Sequence, residues 1–134
     1  MEQLSSYTGI IIMDIIILLL ALFGIKHFIC DFLLQFPYMI REKGTYGAEG
    51  GWHHAGLHAA FTLLICVFFA QNLHDAVTVA AADGLLHYHI DWGKQQLNKG
   101  LTTVDRMFWV WLGADQGLHY LTYVGIIGYL VSVF

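Results

Sequence analysis

The sequence has few charged residues, one proline and two cysteines. Six lysines and arginines stand against ten acidic residues, and no basic run could follow a phosphate backbone, so we expect no nucleic acid as a partner. Cys30 and Cys66 lie in apolar segments, where a cysteine is usually a small buried hydrophobe, and we expect no disulfide. The 134 residues are 57% hydrophobic, which is too apolar for an ordinary soluble domain.

Four apolar segments approach or exceed the roughly 20 residues that cross a bilayer as a helix. They cover about residues 9–35, 52–71, 74–98 and 104–134. The run after Met1–Tyr7 is longer than the core of a signal peptide and has no clear cleavage site, so we expect it to be retained. The predicted fold class is all-α, with one integral membrane domain over residues 1–134 that forms an antiparallel four-helix bundle.

The basic residues predict the orientation of this bundle. Five of the six lie in or beside two connections: Arg41, Lys43, Lys94, Lys99 and Arg106. By the positive-inside rule both connections face the cytoplasm, and both termini lie on the outer, periplasmic side. Lys26 lies within the first helix, where it either reaches towards the interface or pairs with an acid such as Asp83.

The first cytoplasmic connection, residues 36–51, is rich in residues that interrupt helices. It contains the only proline, Pro37, and the glycines Gly44, Gly47, Gly50 and Gly51. Such a composition is typical of a mobile connector. A lid or re-entrant segment over a site is the alternative.

Each predicted helix contains one pair of potential metal ligands four residues apart. The pairs are His27 and Asp31, His54 and His58, His87 and Asp91, and Asp115 and His119. Residues with this spacing share a helix face and lie about 6 Å apart along the axis. Because successive helices alternate in direction, the pairs form two stacked layers of four. The deeper layer contains the histidines 27, 58, 87 and 119, and the shallower layer contains Asp31, His54, Asp91 and Asp115.

Eight ionisable side chains inside hydrocarbon need a common explanation, because each is costly unless it is paired, hydrated or bound to a metal. A metal centre provides one, and carboxylate–histidine pairs hold two metals in some four-helix bundles. Five imidazoles with three carboxylates favour one or two divalent ions, with zinc ahead of iron or manganese. The alternatives are hydrogen bonding between helices and a pathway for protons or ions.

Other polar residues extend the same helix faces. Three of them lie next to a predicted ligand or one turn beyond it, and are expected to orient it: Gln35, Gln116 and Tyr123. Asp83 lies one turn before His87, near the predicted midplane. An ionisable group at that depth is a functional candidate, so Asp83 is a candidate catalytic proton acceptor, together with Asp31 and Asp91.

The motif blocks resemble a family of bacterial and phage membrane proteins called domain of unknown function 3307. The blocks are His27-x3-Asp31-Phe-Leu-Leu-Gln35, His54-x3-His58, His87-x2-Ile-Asp91-Trp-x-Lys94 and Asp115-Gln116-x2-His119. The resemblance covers about residues 25–120. It implies a multi-span protein of the bacterial inner membrane, encoded by a bacterium or a phage, without an established activity. More distantly, the sequence is similar to membrane proteins described as metal-dependent hydrolases.

The leading functional hypothesis is a metal-dependent hydrolase that acts on a lipid or membrane substrate near the cytoplasmic face, because a bound metal activates water. One alternative is a histidine-rich di-iron oxidative enzyme, although His53-His54 is the only adjacent histidine pair. Another is a non-enzymatic metal or proton transporter, or a scaffold of a membrane complex. The spacing of Gly113 and Gly117 permits close helix contact and hence a homo-oligomer.

Overall fold

A computed structural model describes residues 2–133, with side chains from Tyr7 onward. Every regular element in this range is a helix, which confirms the predicted all-α class. The helices are α1 (Glu2–Phe28), α2 (Pro37–Glu42), α3 (Glu49–Phe69), α4 (Leu73–Leu97) and α5 (Arg106–Ser132). The four long helices overlap the four ranges predicted from the sequence. Met1 and Phe134, which fall at the ends of the predicted domain, lie outside the described residues.

Helix α1 continues into a widened helical turn. Ile29–Leu33 are π-helical, and the Leu34 amide donates to the Ile29 carbonyl, five residues back, at 2.9 Å. Such turns are rare and are often found at functional sites. This one contains Asp31. Pro37 then begins α2, at a position where a missing N–H costs nothing.

The four long helices form a ring of neighbours. Helix α1 packs against α3 and α5, and α4 packs against the same two helices from the other side. The contact between α3 and α4 is the most extensive, because small residues let the backbones approach. A Cβ atom on Gly84 would lie 2.9 Å from Ala59 Cβ and 3.2 Å from the Ala55 carbonyl oxygen, so this position requires glycine.

The interior of the ring has two different halves. One half is an apolar cluster, which consists of Leu19, Phe23, Cys66, Ala76, Val79, Tyr123, Ile127 and Leu130. The other half contains most of the buried polar side chains, including the histidines at positions 54, 58, 87 and 119. Cys30 and Cys66 are free and buried, as expected.

The connection at residues 36–51 is built into the fold. It contains α2, which packs against α3. The Gly47 amide donates to the Tyr88 hydroxyl at 2.6 Å, and the Gln96 side-chain amide donates to the Gly44 carbonyl at 2.8 Å. The segment is therefore fastened to α3 and α4 by these contacts, and it carries Lys43 into the interior.

Two helical stretches, Tyr7–Leu33 and Glu49–Phe69, are long and apolar enough to cross a membrane. Helices α4 and α5 do not satisfy the same criterion over the described residues. Both contain acidic and imidazole residues of the predicted site, and these lower their mean hydropathy. Length and composition therefore support two of the four predicted spans.

Candidate metal centre

The first group of potential ligands consists of Asp31, His54, His58 and His87. One ligand atom from each lies within 4.8 Å of all the others. His58 Nε2 is 2.9 Å and His54 Nε2 is 3.2 Å from Asp31 Oδ1, and His87 Nε2 is 3.1 Å from His54 Nε2. The three imidazoles are at most 1% exposed. The π-helical turn, α3 and α4 thus bring three nitrogens and one oxygen together in the interior.

The separations within this group fit the ligands of a single ion. Around a tetrahedral zinc ion with bonds of about 2.0–2.2 Å, neighbouring ligand atoms lie about 3.4 Å apart. The shortest separation in the group is 2.9 Å, and that between His87 Nε2 and Asp31 Oδ1 is 3.9 Å. Three imidazoles and one carboxylate are also a ligand set that first-row divalent metals accept. This group can therefore hold a metal ion.

A second group consists of His87, Asp91 and His119. Asp91 Oδ2 is 3.5 Å from His87 Nε2, and Asp91 Oδ1 is 3.7 Å from His119 Nε2. Asp115 Oδ1 lies 3.5 Å from the same His119 nitrogen. Neither Asp115 Oδ1 nor His119 Nε2 has a hydrogen-bond partner among the described residues, although both are buried. Buried polar atoms are rarely left in this way, and a cation between them would satisfy both.

The two groups are adjacent and share His87. The rings of His58 and His87 stack with centroids 3.5 Å apart, and those of His87 and His119 with centroids 4.1 Å apart. The ring of His27 lies 5.3 Å from that of His119. The four histidines predicted for the deeper layer thus lie side by side. His87 faces both groups through the same atom, Nε2, so it can ligate an ion in only one of them at a time.

The predicted ligand His27 lies beside the groups. Its Nδ1 contacts the Tyr123 hydroxyl at 2.9 Å, and its Nε2 contacts Gln116 Oε1 at 3.0 Å. The same Nε2 lies 3.1 Å from Asp31 Oδ2. Because protein groups engage both ring nitrogens, this geometry suits a residue that holds Asp31 in place better than a metal ligand.

Each of the three residues expected to orient a ligand contacts a predicted ligand, although Gln35 and Tyr123 contact one on another helix and not the one on their own helix. The Gln35 side-chain amide lies 2.9 Å from His54 Nε2, and the Gln116 amide donates to Asp115 Oδ2 at 3.0 Å. Tyr123 contacts His27. Contacts of this kind fix the direction of a ligand and so tune the affinity of a metal site.

Asp83 lies in a buried ion pair. Lys26 Nζ and the Thr62 hydroxyl each donate to Asp83 Oδ2 at 2.6 Å. The predicted pairing of Lys26 with Asp83 is thus confirmed. Tyr123, one of the residues of the apolar cluster, lies 3.4 Å from Lys26 Nζ, so the pair forms the boundary between the two halves of the interior. With Asp83 engaged in this pair, Asp31 and Asp91 are the candidate proton acceptors that lie within the ligand groups.

Two residues of the site were not foreseen from the sequence. Lys43 Nζ lies 3.2 Å from Asp91 Oδ2, which is 48 positions away, and no local pattern indicates such a contact. Thr62 could have been found, because it lies one turn beyond His58 on the same helix face. His53 is exposed and contacts the Tyr38 hydroxyl at 3.1 Å, so it does not join His54 in the ligand groups.

Comparison with known proteins gives a family and no activity. A family model described as protein of unknown function (DUF3307) matches residues 15–133. No curated protein and no solved structure matches the sequence. The matched range contains every residue of both ligand groups, so the chemistry has to be argued from the groups themselves.

Proposed function

The chain belongs to the DUF3307 family, and from its site we propose that it is a membrane-embedded metal-dependent hydrolase that acts on a lipid or other membrane substrate. The observation that carries this proposal is the convergence of Asp31, His54, His58 and His87 within 4.8 Å of one another. The second group, around Asp91, supports a second ion. The proposal therefore has three parts: the membrane, the metal and the reaction.

The distribution of polar and apolar side chains supports a location within a membrane. Large hydrophobic residues cover the outside of the helices, and Phe68 is 77% and Phe32 67% exposed. Histidines, acids and Lys26 are buried inside. This is the inverse of a soluble protein, and a bilayer solvates such a surface. All four long helices would then span, with the polar residues of α4 and α5 facing inward.

The basic residues support a site near the cytoplasmic face. Lys94 lies one turn beyond Asp91, and Lys43 contacts the Asp91 carboxylate. The ligand groups therefore lie towards the end of the bundle that carries most of the positive charge. By the positive-inside rule this end faces the cytoplasm, and the protein belongs to the inner membrane of a bacterium.

The donor atoms favour zinc. The two groups contain four imidazoles and two carboxylates. Nitrogen-rich sets of this kind suit zinc, accept iron and are less suited to manganese. We propose one or two ions, depending on whether the second group is filled.

The reaction follows from the carboxylates beside the ligands. A divalent metal supplies Lewis acidity, which lowers the pKa of a bound water and polarises an ester. A carboxylate oxygen that does not bind the metal, on Asp115, Asp31 or Asp91, would accept a proton as the water oxygen bonds to the substrate. The same carboxyl would return that proton to the leaving oxygen when the ester bond breaks. Water thus divides between an acid and an alcohol.

Metal content tests this proposal first. Protein purified in detergent without added metal should contain one or two zinc ions per chain by elemental analysis. His58→Ala should contain less, and His53→Ala, at an exposed position with no contact to the ligand groups, should match the wild type. Release of products from bacterial lipid extracts should stop with a chelator and return with zinc. A wild-type protein without metal would refute the proposal.

The alternative functions have less support. A transporter needs a polar path beyond the ligand groups, but the apolar cluster begins directly past the Lys26–Asp83 pair. An oxidative enzyme would be indicated by iron in place of zinc in the same elemental analysis. The separation of His53 from the ligand groups removes the sequence feature that favoured it.

A further inference from the structure

Helices α4 and α5 leave a groove along their outer surface, which we call the α4–α5 groove. One part has a volume of about 360 Å³, and its lining includes Leu86, Ile90, Gly93, Lys94, Trp111 and Asp115. The other part has a volume of about 300 Å³, and its lining includes Val79, Leu86, Gly125 and Tyr129. Leu86 lines both parts, so they lie next to each other along α4, and we treat them together as one groove.

The groove has the length and the walls that an acyl chain needs. Along α4 it extends from Lys94 to Val79, about 23 Å at the rise of an α-helix. The hydrocarbon layer of one leaflet is about 15 Å thick, which is half of the bilayer core. The groove is therefore long enough for a chain that crosses one leaflet. The groove walls between these ends are mostly aliphatic and aromatic, with His89 in one part and Asp83 and Thr122 in the other. A lipid chain lying parallel to the helices would therefore fit within it.

The end of the groove nearest the ligand groups is polar. Lys94 is half-buried there, and its side-chain amine has no hydrogen bond or ion pair with any described residue. Trp111 lies at the same end, and tryptophan is common at the level of lipid headgroups. Asp115, which is 5% exposed, lines this end and has one oxygen without a partner, 3.5 Å from His119. The unpaired Lys94 and Asp115 thus line the same end of the groove, and Asp115 adjoins the second ligand group through His119.

We propose that the α4–α5 groove binds one acyl chain of an anionic phospholipid whose phosphate pairs with Lys94. Because the apolar walls of the groove are long, the groove fits a lipid better than a free phosphate. Because Lys94 is unpaired, it favours an anionic headgroup over a zwitterionic one. Bound in this way, the ester bonds next to the phosphate lie beside Asp115. As a statement about substrate class, this inference rests on the proposed hydrolase function; lipid binding itself can be tested without it.

Native mass spectrometry of the protein in micelles tests the groove. The probes are phosphatidylglycerol and phosphatidylcholine with identical acyl chains, and the wild type should bind phosphatidylglycerol more tightly. Lys94→Gln should weaken phosphatidylglycerol binding about fivefold and phosphatidylcholine binding by less, because the choline cation offsets the charge of the phosphate. Gly93→Leu should weaken binding of both about tenfold, because the new side chain fills the groove. A Cβ atom on Gly93 meets nothing within 4 Å, so the new side chain can begin there without a clash.

The matched control is Gly24→Leu on α1, another open glycine, and one that does not line the groove. It should bind both lipids as the wild type does. If Gly93→Leu binds phosphatidylglycerol as tightly as Gly24→Leu, the proposal is wrong. It is also wrong if Gly93→Leu converts a dimer to a monomer with lipid binding unchanged, since the groove would then be a contact between copies. Metal content is measured on the same samples, so a metal-free wild type refutes the hydrolase separately.

Discussion

The two halves of the interior are built from the same four helices and are held together differently. In the apolar half, Leu19, Phe23 and Leu130 are fully buried and pack against one another. In the half with the ligand groups, imidazoles and carboxylates meet at 2.9–3.9 Å, and buried atoms of His119 and Asp115 lack partners. The apolar half is held by packing alone, whereas the polar half contains buried atoms that could ligate a cation.

Between the halves lies a layer formed by Lys26, Thr62, Asp83 and Tyr123. Thr62, Asp83 and Tyr123 are each one helical turn from a histidine of the site. Lys26 is next to His27 in the sequence. The buried ion pair in this layer closes the ligand groups off from the apolar cluster. We therefore expect substitutions in the apolar half to change mainly stability and substitutions in the ligand groups to change mainly metal binding.

The largest effect is expected from His87→Ala, because His87 belongs to both ligand groups. The metal affinity of this variant should fall more than about 100-fold, because substitution of a residue that only orients a ligand already costs up to about that much. Metal titration of the stripped protein measures the change. His89→Ala, at an exposed neighbouring position, should bind metal as the wild type does. Equal affinities for the two variants would refute the shared ligand.

Lys26→Met should destabilise the protein by about 3–5 kcal/mol, because Asp83 would be left as a buried charge without its partner. The double variant Lys26→Met/Asp83→Leu should recover most of this loss and keep its metal. Unfolding in detergent followed by circular dichroism measures both. If the single variant is as stable as the double one, the pair does not form the boundary described above.

Leu130→Ala tests the apolar half alone. The cavity should cost about 2–5 kcal/mol of unfolding free energy, because the side chain is fully buried. Metal content per folded chain should not change. Loss of metal from this variant would show that the two halves are not separable.

The smallest effect is expected from Tyr123→Phe, which removes the hydroxyl that contacts His27 and keeps the ring that stacks on Phe23. His27 would hold Asp31 less firmly, and metal affinity should fall about tenfold, at the low end for residues outside the ligand set. Metal titration of Tyr123→Phe and of Leu130→Ala, which should not change metal binding, measures the difference. An unchanged affinity would show that His27 does not transmit this contact to Asp31.

Much of the architecture follows from two simple patterns. The lengths of the apolar runs predict the long helices, and the four-residue spacing of histidine and aspartate predicts which faces turn inward. The same spacing places Thr62, Asp83 and Tyr123 on the inward faces of their helices. These features are local, because a helix places residues i and i+4 on one face whatever surrounds it.

The remaining features depend on contacts that no local pattern contains. Lys43 reaches Asp91 only because residues 36–51 fold back over the bundle, and that segment has no periodicity to indicate it. The π-helical turn at Asp31 has no sequence signature, yet it helps to aim Asp31 at His54 and His58. Whether a histidine is a ligand or a neighbour, as with His27, depends on a small rotation of its helix.

The most direct test of the central claim is an experimental map of the zinc-loaded protein, with anomalous scattering recorded at the zinc absorption edge. The account expects a peak within about 2.0–2.2 Å of Asp31, His54, His58 and His87, with a second peak by Asp91 and His119 if both groups are filled. A map with no peak between the helices, or with a peak only at the protein surface, would contradict it.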